Sequence, residues 1–110
     1  MNTSRKGLLE VRLNESDGRY VVTALGELDG SNVELLGEAI SDAEDSRAEL
    51  IIVDLSRLTF MDSSGLHLIL EAHARSQADS DRMRFVRGPR SVQRVFELTG
   101  VGSELPFIER

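Results

Sequence analysis

Four consecutive residues, Asp62, Ser63, Ser64 and Gly65, place an acid, two hydroxyls and a glycine immediately before an apolar run with helical spacing. Aspartate and serine are common helix caps, because their side chains accept hydrogen bonds from the unpaired amides of the first turn. A phosphate at the same place would face the positive end of the helix dipole and would add about −1.5 to −2 charges. Gly65 would permit close approach of another protein's backbone. The stretch therefore predicts a helix cap or a regulatory serine.

Nucleophilic catalysis is an alternative chemistry for these serines. It requires a histidine within reach of the hydroxyl and an oxyanion site, but the "DSSG" stretch is not the Gly-x-Ser-x-Gly elbow of hydrolases. His67 lies three or four residues further along the same predicted helix, and His73 lies further still. We therefore expect no enzyme and no catalytic residue.

Asp54, near the end of an apolar strand, invites comparison with the phosphoaccepting aspartate of response regulators. Such receivers need a pair of metal-binding acids after the first strand, whereas "RLNESDGR" leads into a hairpin here. We expect Asp54 to be a hydrogen-bond acceptor at the strand end.

Composition limits the remaining functions. A chain of 110 residues fits one domain, 1–110, with a single modest core. It has no cysteine and only two histidines, so we expect neither a disulfide nor a zinc site. A net charge of −6 argues against nucleic acid as a partner. The chain has neither a secretory h-region nor an apolar run of the roughly 20 residues that cross a bilayer, so we expect a cytoplasmic protein without membrane contact.

The predicted strands and helices must position the polar stretch of residues 62–65. Two leucine- and valine-rich segments, near 8–13 and 19–25, flank a turn and predict an antiparallel hairpin. The segment "SNVELLGEAISDAEDS" has apolar residues at spacings of three and four, which predicts an amphipathic helix. Ser31 and Glu34 are spaced as a capping box at its start. Residues 1–7, before the hairpin, are expected to be flexible.

The polar stretch follows a predicted central strand. "ELIIVDLS" is a continuous apolar run, typical of a strand covered on both faces. The loop "SRLTFMDSSG" comes next, and we expect Phe60 and Met61 to be buried under it. A helix then runs from Ser63 or Ser64 to Gln77. In open α/β sheets, function gathers beyond the carboxyl ends of the strands, where this loop lies.

The last third of the chain predicts a strand, a helix and a short strand. "RMRFVRG" is the strand, Pro89 suits the first turn of the helix, and Gly100 suits its C-terminal cap. "LPFIE" adds the final strand. The fold class is therefore α/β, a mixed sheet of four to five strands with helices packed on it, in the order β-β-α-β-α-β-α-β.

Three segments together resemble one known family. "IIVDLSRLTFMDSSGLHLIL" closely resembles the signature of bacterial anti-sigma factor antagonists, the STAS-domain proteins typified by sporulation and general-stress regulators. "GELDGSNVELL" is similar to the family's turn before its first helix, and "VQRVFELTGV" to its late helix. The resemblance covers most of the chain in the right order and implies the STAS fold.

The resemblance implies a partner-switching cycle in transcription regulation. It assigns Ser63 as the residue that an anti-sigma factor phosphorylates. This partner is a serine kinase that binds the ATP itself, so we expect no cofactor and no metal on this chain. The unphosphorylated form would bind the kinase and release the sigma factor. The phosphorylated form would dissociate from the kinase, and a PP2C-type phosphatase would remove the phosphate and restore binding.

Partner-binding residues also follow from the resemblance. Asp62 matches the family's acid beside the serine, Asp29 matches an acid near the phosphoserine and the interface, and Ser64 mainly supports the helix start. His67 stands where many members have a small residue, so it either borders the interface or is a solvated helix residue. The alternative function is a STAS module that acts by binding alone, as a stressosome-like scaffold or a lipid-transport accessory.

Overall fold

The computed structural model describes residues 2–100 and 105–109. These residues form six strands and three helices. In chain order the elements are β1 (Asn2–Lys6), β2 (Leu9–Ser16), β3 (Arg19–Leu28), α1 (Val33–Glu44), β4 (Leu50–Met61), α2 (Ser63–Asp79), β5 (Met83–Val86), α3 (Arg90–Thr99) and β6 (Phe107–Ile108).

The strands lie in the sheet in the same order as in the sequence. The first three pair antiparallel, and from β3 onward each pair is parallel. The predicted α/β class and mixed sheet are confirmed, with one strand more than expected. The additional strand is β1, which pairs in register with β2 although all its residues are exposed. Residues 1–7, expected to be flexible, therefore include an edge strand.

All three helices lie on one face of the sheet. Each parallel connection is expected to be a right-handed crossover that moves one strand further in the same direction, and α2 contacts both α1 and α3. Ile51, Val53 and Leu55 of β4 point into the core below the helices, whereas Ile52 and Asp54, which alternate with them, point to the other face. Ile52 and Asp54 are each only 6% exposed, so this part of the strand is buried on both faces, as predicted.

The strand β4 is longer than its apolar run. The predicted loop from Ser56 onward continues the strand to Met61, because β4 carries two bulges against β3. At each bulge β4 has one residue more than its partner. Consequently the core side chains after the first apolar run, Leu55, Leu58 and Met61, are spaced by three instead of two.

The helix ends differ in detail from the predicted ones. The helix α1 begins at Val33 with Asn32 as its N-cap residue, so the predicted capping box of Ser31 and Glu34 is wrong. Pro89 precedes α3 as its N-cap residue, and Gly100 ends that helix with a φ of 75°. The left-handed conformation favours glycine at that position, as predicted.

The core lies between the sheet and the helix layer. Its fully buried side chains come from all the central strands and each helix, and include Leu9, Val22, Leu28, Leu36, Ile40, Val53, Leu55, Ile69, Phe85 and Phe96. Among the described residues, no helix is both long and apolar enough to cross a membrane.

Candidate functional site

The start of α2 is organised by Asp62. Its carboxylate accepts hydrogen bonds from the amides of Ser64, at 2.8 Å, and Gly65, at 3.4 Å. The Asp62 carbonyl accepts from the Leu66 amide at 3.2 Å. The backbone of Asp62 is extended, as an N-cap residue requires. The prediction of a helix cap at this boundary is confirmed, and the capping group is the aspartate.

The two serines have different surroundings. Ser63 is the first residue of α2 and is exposed, whereas Ser64 is half-buried. The Ser64 Oγ lies beside the turn after β3, 3.3 Å from the point where a Cβ on Gly30 would be. A hydroxyl that a second protein must reach is therefore better presented by Ser63 than by Ser64.

Gly65 is buried within this chain. A Cβ at this position would lie 2.5 Å from the Met61 Cγ and 2.8 Å from the Leu28 Cδ2. The missing side chain therefore lets the first turn of α2 pack against the ends of β3 and β4. We expected Gly65 to let the backbone of another protein approach closely. This expectation is wrong, because the Leu28 and Met61 side chains fill the space beside Gly65.

The turn after β3 lies beside the start of α2. Leu28 and Met61 are register neighbours, and the Asp62 amide donates to the Leu28 carbonyl at 3.2 Å. Asp29 therefore follows β3 at the same edge of the sheet where Asp62 follows β4. Its Oδ1 accepts from the Ser31 hydroxyl at 2.6 Å and from the Ser31 amide at 2.9 Å. These hydrogen bonds lower the pKa of Asp29 below its ordinary value.

The Asn32 side chain, for which the sequence predicted no role, makes two hydrogen bonds to the backbone of this turn. Its Oδ1 accepts from the Asp29 amide at 2.9 Å, and its Nδ2 donates to the Glu27 carbonyl at 2.9 Å. The side chain is buried, with 1% of the residue exposed. A polar residue after a Leu-Asp-Gly-Ser turn is the signal that would have indicated such a bridge.

The aromatic and apolar residues before the cap differ in burial. Met61 is buried as predicted, but Phe60 is 46% exposed. The second bulge of β4 is the physical reason, since Thr59 and Phe60 both lie between the core residues Leu58 and Met61. The prediction of a buried Phe60 is therefore wrong.

The two histidines have different surroundings. His67 is exposed on α2, as both interpretations of this residue require. His73 is buried, and its ring packs edge-on against Phe85 with centroids 6.3 Å apart. Because the His73 ring is buried in the core, this residue is not positioned to act as a general base for Ser63.

Asp54 is a hydrogen-bond acceptor in β4. The Asp54 carboxylate accepts from the Ser56 amide at 2.9 Å and from the Ser56 hydroxyl at 2.6 Å, which confirms the predicted acceptor role. It lies beside the first bulge of β4. Within residues 2–100 and 105–109, no three His, Asp or Glu side chains are grouped so as to hold a metal ion.

The site thus consists of an exposed serine on a capped helix, beside two acids at the end of a mixed sheet. The chain belongs to the STAS domain family, whose model matches residues 10–110. The resemblance to this family is confirmed.

Solved structures of anti-sigma factor antagonists share the fold. The chain is similar to SpoIIAA in its unphosphorylated form, with 29% identity and a TM-score of 0.73 over 91% of this chain and 87% of that one. It is also similar to the Bacillus cell fate determinant SpoIIAA in the phosphorylated form, with 28% identity and a TM-score of 0.69 over 91% and 90% of the two chains. An antagonist from Mycobacterium paratuberculosis, at 22% identity, has the same fold, with a TM-score of 0.81 over 93% and 86%.

Proposed function

We propose that this protein is an anti-sigma factor antagonist whose binding is switched by phosphorylation of Ser63. The observation that carries the proposal is the exposed hydroxyl of Ser63 at the first position of α2, directly after the capping Asp62. Similarity to SpoIIAA, which is known in both an unphosphorylated and a phosphorylated form, supports it.

Ser63 is the better phosphoacceptor of the two serines. A kinase must bring the γ-phosphate of ATP in line with the attacking hydroxyl, and this requires an accessible oxygen. Ser63 is exposed, whereas Ser64 is half-buried beside Gly30. In this proposal Ser64 supports the helix start, and its amide binds the Asp62 carboxylate.

The phosphate would act by charge. Asp62 and Asp29 already lie at this edge of the sheet, and phosphoserine adds about −1.5 to −2 charges. A partner surface that complements two carboxylates then meets excess negative charge and an unpaired phosphate. Each 1.4 kcal/mol of lost binding energy weakens the affinity about tenfold, so one phosphate suffices for release.

The partners follow from the same cycle. The unmodified protein binds an anti-sigma factor that is a serine kinase and holds the ATP, and this binding frees the sigma factor in the cytoplasm. A PP2C-type phosphatase returns the phosphorylated form to the binding form. The protein itself is a substrate and a binder, not an enzyme. Asp29, Asp62, Ser63 and His67 contact the partner, while Gly65 acts only by packing α2.

Phosphorylation assays test the proposal. The purified protein is incubated with ATP and the anti-sigma factor kinases encoded in the same genome, and the phosphate is located by mass spectrometry. We expect label on Ser63 in the wild type and in Ser64→Ala, and none in Ser63→Ala. Label on Ser64 alone would contradict the choice of serine. Stable binding to a partner without phosphate from any kinase would favour a STAS scaffold module instead.

A further inference from the structure

Three carboxylates form a row along the exposed side of α1. Glu34, Glu38 and Asp42 are four residues apart, so they lie on one face of the helix, and we call them the acidic row. Across residues 2–100 and 105–109, none of the three forms an ion pair or a side-chain hydrogen bond. Like charges at this spacing repel one another, and α1 itself contains no basic residue that would compensate.

A groove between α1 and α2 runs beside the acidic row. It has a volume of about 480 Å³, and besides the acidic row its lining consists of Val33, Gly37, Ser41 and Leu68. Gly37 keeps the groove open, since a Cβ at this position would lie 3.3 Å from the Leu68 Cδ1. The groove therefore combines a partly apolar floor with an acidic rim.

The spacing of the acidic row indicates what kind of cation fits it. Side chains four residues apart on a helix have Cβ atoms about 5–6 Å apart, and in the described part of the chain no three acidic or histidine side chains are grouped so as to hold a metal ion. A second helix with cations four residues apart has the same repeat, because both follow the pitch of the α-helix. The acidic row thus fits a helix with spaced positive charges.

The chain itself contains such a helix, α3. Arg90 and Arg94 are four residues apart and exposed, and within the described residues neither forms an ion pair or a side-chain hydrogen bond. Leu98, four residues further, is 81% exposed although it is large and apolar. We call these three residues the arginine row. It offers two cations and one apolar side chain to a groove with an acidic rim and an apolar floor.

Charge is segregated between the two parts of the chain that carry these rows. Residues 27–49 contain eight acidic residues and one arginine, whereas residues 82–94 contain five arginines and no acidic residue. Three of these five already bind groups of their own chain, namely Arg82, Arg84 and Arg87. Only the two arginines of the arginine row remain available for another molecule.

The two rows are separated within one molecule by α2. This helix contacts both α1 and α3, and packed helices have axes about 8–10 Å apart, so the axes of α1 and α3 are about 16–20 Å apart. The arginine row therefore meets the acidic row of another copy more readily than that of its own chain.

We propose that the chain self-associates through its helix layer, with the arginine row of one copy seated on the acidic row of a second copy. Arg90 and Arg94 pair with the carboxylates, and Leu98 covers the floor at Gly37 and Leu68. The net charge of −6 repels two copies at long range, so the local pairing must overcome this repulsion. The contact is weak and salt-sensitive, because one helix in a groove buries less than a standard interface. Ser63 belongs to neither row, so this inference does not rest on the proposed function.

Sedimentation equilibrium with charge-reversed variants tests the inference. The association constant is measured at low and at high salt for the wild type, Glu38→Lys, Arg94→Glu and the double variant. Glu15→Lys and Arg19→Glu are the matched controls, since they make the same charge changes at exposed positions outside both rows. Circular dichroism and urea unfolding verify that each variant is folded.

We expect the wild type to associate at low salt and at least tenfold more weakly at high salt. Glu38→Lys and Arg94→Glu should each weaken the association at least tenfold. Because Glu38→Lys makes the net charge less negative, weaker association in this variant reports the local contact rather than overall repulsion. Glu15→Lys should associate at least as well as the wild type, and Arg19→Glu should lose less than Arg94→Glu.

The rescue experiment is the sharpest part of the test. The double variant exchanges the two charges, and an equimolar mixture of the single variants pairs one intact acidic row with one intact arginine row. Both should recover most of the wild-type association. A double variant that associates no better than the single variants would overturn the pairing.

Two further results would overturn the inference and leave the proposed function in place. One is a wild type that stays monomeric at every concentration at low salt. The other is a monomeric wild type whose affinity for the anti-sigma factor kinase falls in Glu38→Lys, since the kinase would then occupy the groove.

Discussion

Two turns at the same edge of the sheet begin with an aspartate after register neighbours, Asp29 after Leu28 and Asp62 after Met61. In each turn the aspartate Oδ1 accepts from the amide two residues later, Ser31 at 2.9 Å and Ser64 at 2.8 Å. The residues between them differ, because Gly30 follows the first aspartate and Ser63 follows the second.

The first turn, which follows Leu28, is held together by side-chain hydrogen bonds. The Ser31 hydroxyl donates to Asp29, and the buried Asn32 side chain binds back to the Asp29 amide and the Glu27 carbonyl. In the second turn the helix begins at once, with Ser63 exposed. In the first turn the serine hydroxyl is thus bonded to the aspartate, whereas in the second an exposed serine directly follows the aspartate.

Removal of the Asn32 side chain should have the largest effect. Asn32→Ala leaves the Asp29 amide and the Glu27 carbonyl without their partner in a buried site. We expect a loss of about 2–3 kcal/mol in the free energy of unfolding, measured with urea. The matched control is Asn14→Ala at an exposed position, where a change within about 0.5 kcal/mol is expected. Equal effects at the two sites would contradict the bridging role of Asn32.

The two turns should tolerate a methyl group differently. Gly65→Ala places a Cβ 2.5 Å from the Met61 Cγ, whereas Gly30→Ala meets only the Ser64 Oγ at 3.3 Å. Overpacking costs about 1–3 kcal/mol and should outweigh the better helix propensity of alanine. We expect Gly65→Ala to lower the unfolding free energy by about 1–2 kcal/mol, and Gly30→Ala by less. A more stable Gly65→Ala protein would show that the ends of β3 and β4 can relax.

The N-cap of α2 should contribute less to the free energy of unfolding than Asn32 or the packing of Gly65. Asp62→Ala removes the acceptor for the Ser64 and Gly65 amides, and loss of an N-cap costs about 1 kcal/mol. Asp62→Asn keeps a capping oxygen and should retain most of the stability in the same urea measurement. If alanine and asparagine gave the same loss, the negative charge would matter more than the cap.

The smallest effect concerns the pKa of Asp29. Hydrogen bonds from Ser31 lower this pKa in the folded protein, so the associated stabilisation is present above the ordinary aspartate value and is lost as pH falls through the lowered one. In Ser31→Ala the pKa should rise toward its ordinary value, as followed by NMR titration of the carboxyl carbon. Ser41→Ala, at an exposed position on α1, should leave it unchanged. No rise in Ser31→Ala would assign the shift to other groups.

Much of the fold follows from sequence because its signals are periodic. The apolar spacing of α1 and α2, the hairpin pattern of β2 and β3, and the glycine that ends α3 all predict the observed elements. The end of β4 does not follow, because core residues three apart do not fit the alternation of a strand unless two bulges are assumed. The edge strand β1 lacks any buried residue and so carries no periodic signal.

Only part of the candidate site could be predicted from the sequence. The cap by Asp62 follows from residue type and position at a helix start. The packing of Gly65 against Leu28 and the burial of Asn32 depend on how two strand ends meet, which no local pattern encodes. The exposure of Phe60 likewise depends on a bulge formed with a strand about 33 residues earlier in the chain.

The most direct measurement compares the affinity of one anti-sigma factor kinase for the unmodified and the Ser63-phosphorylated protein, by calorimetry under identical conditions. A phosphate-operated switch predicts binding at least ten times weaker for the phosphorylated form, and restoration of the original affinity after phosphatase treatment. Equal affinities for the two forms would contradict the assignment of Ser63 as the switch.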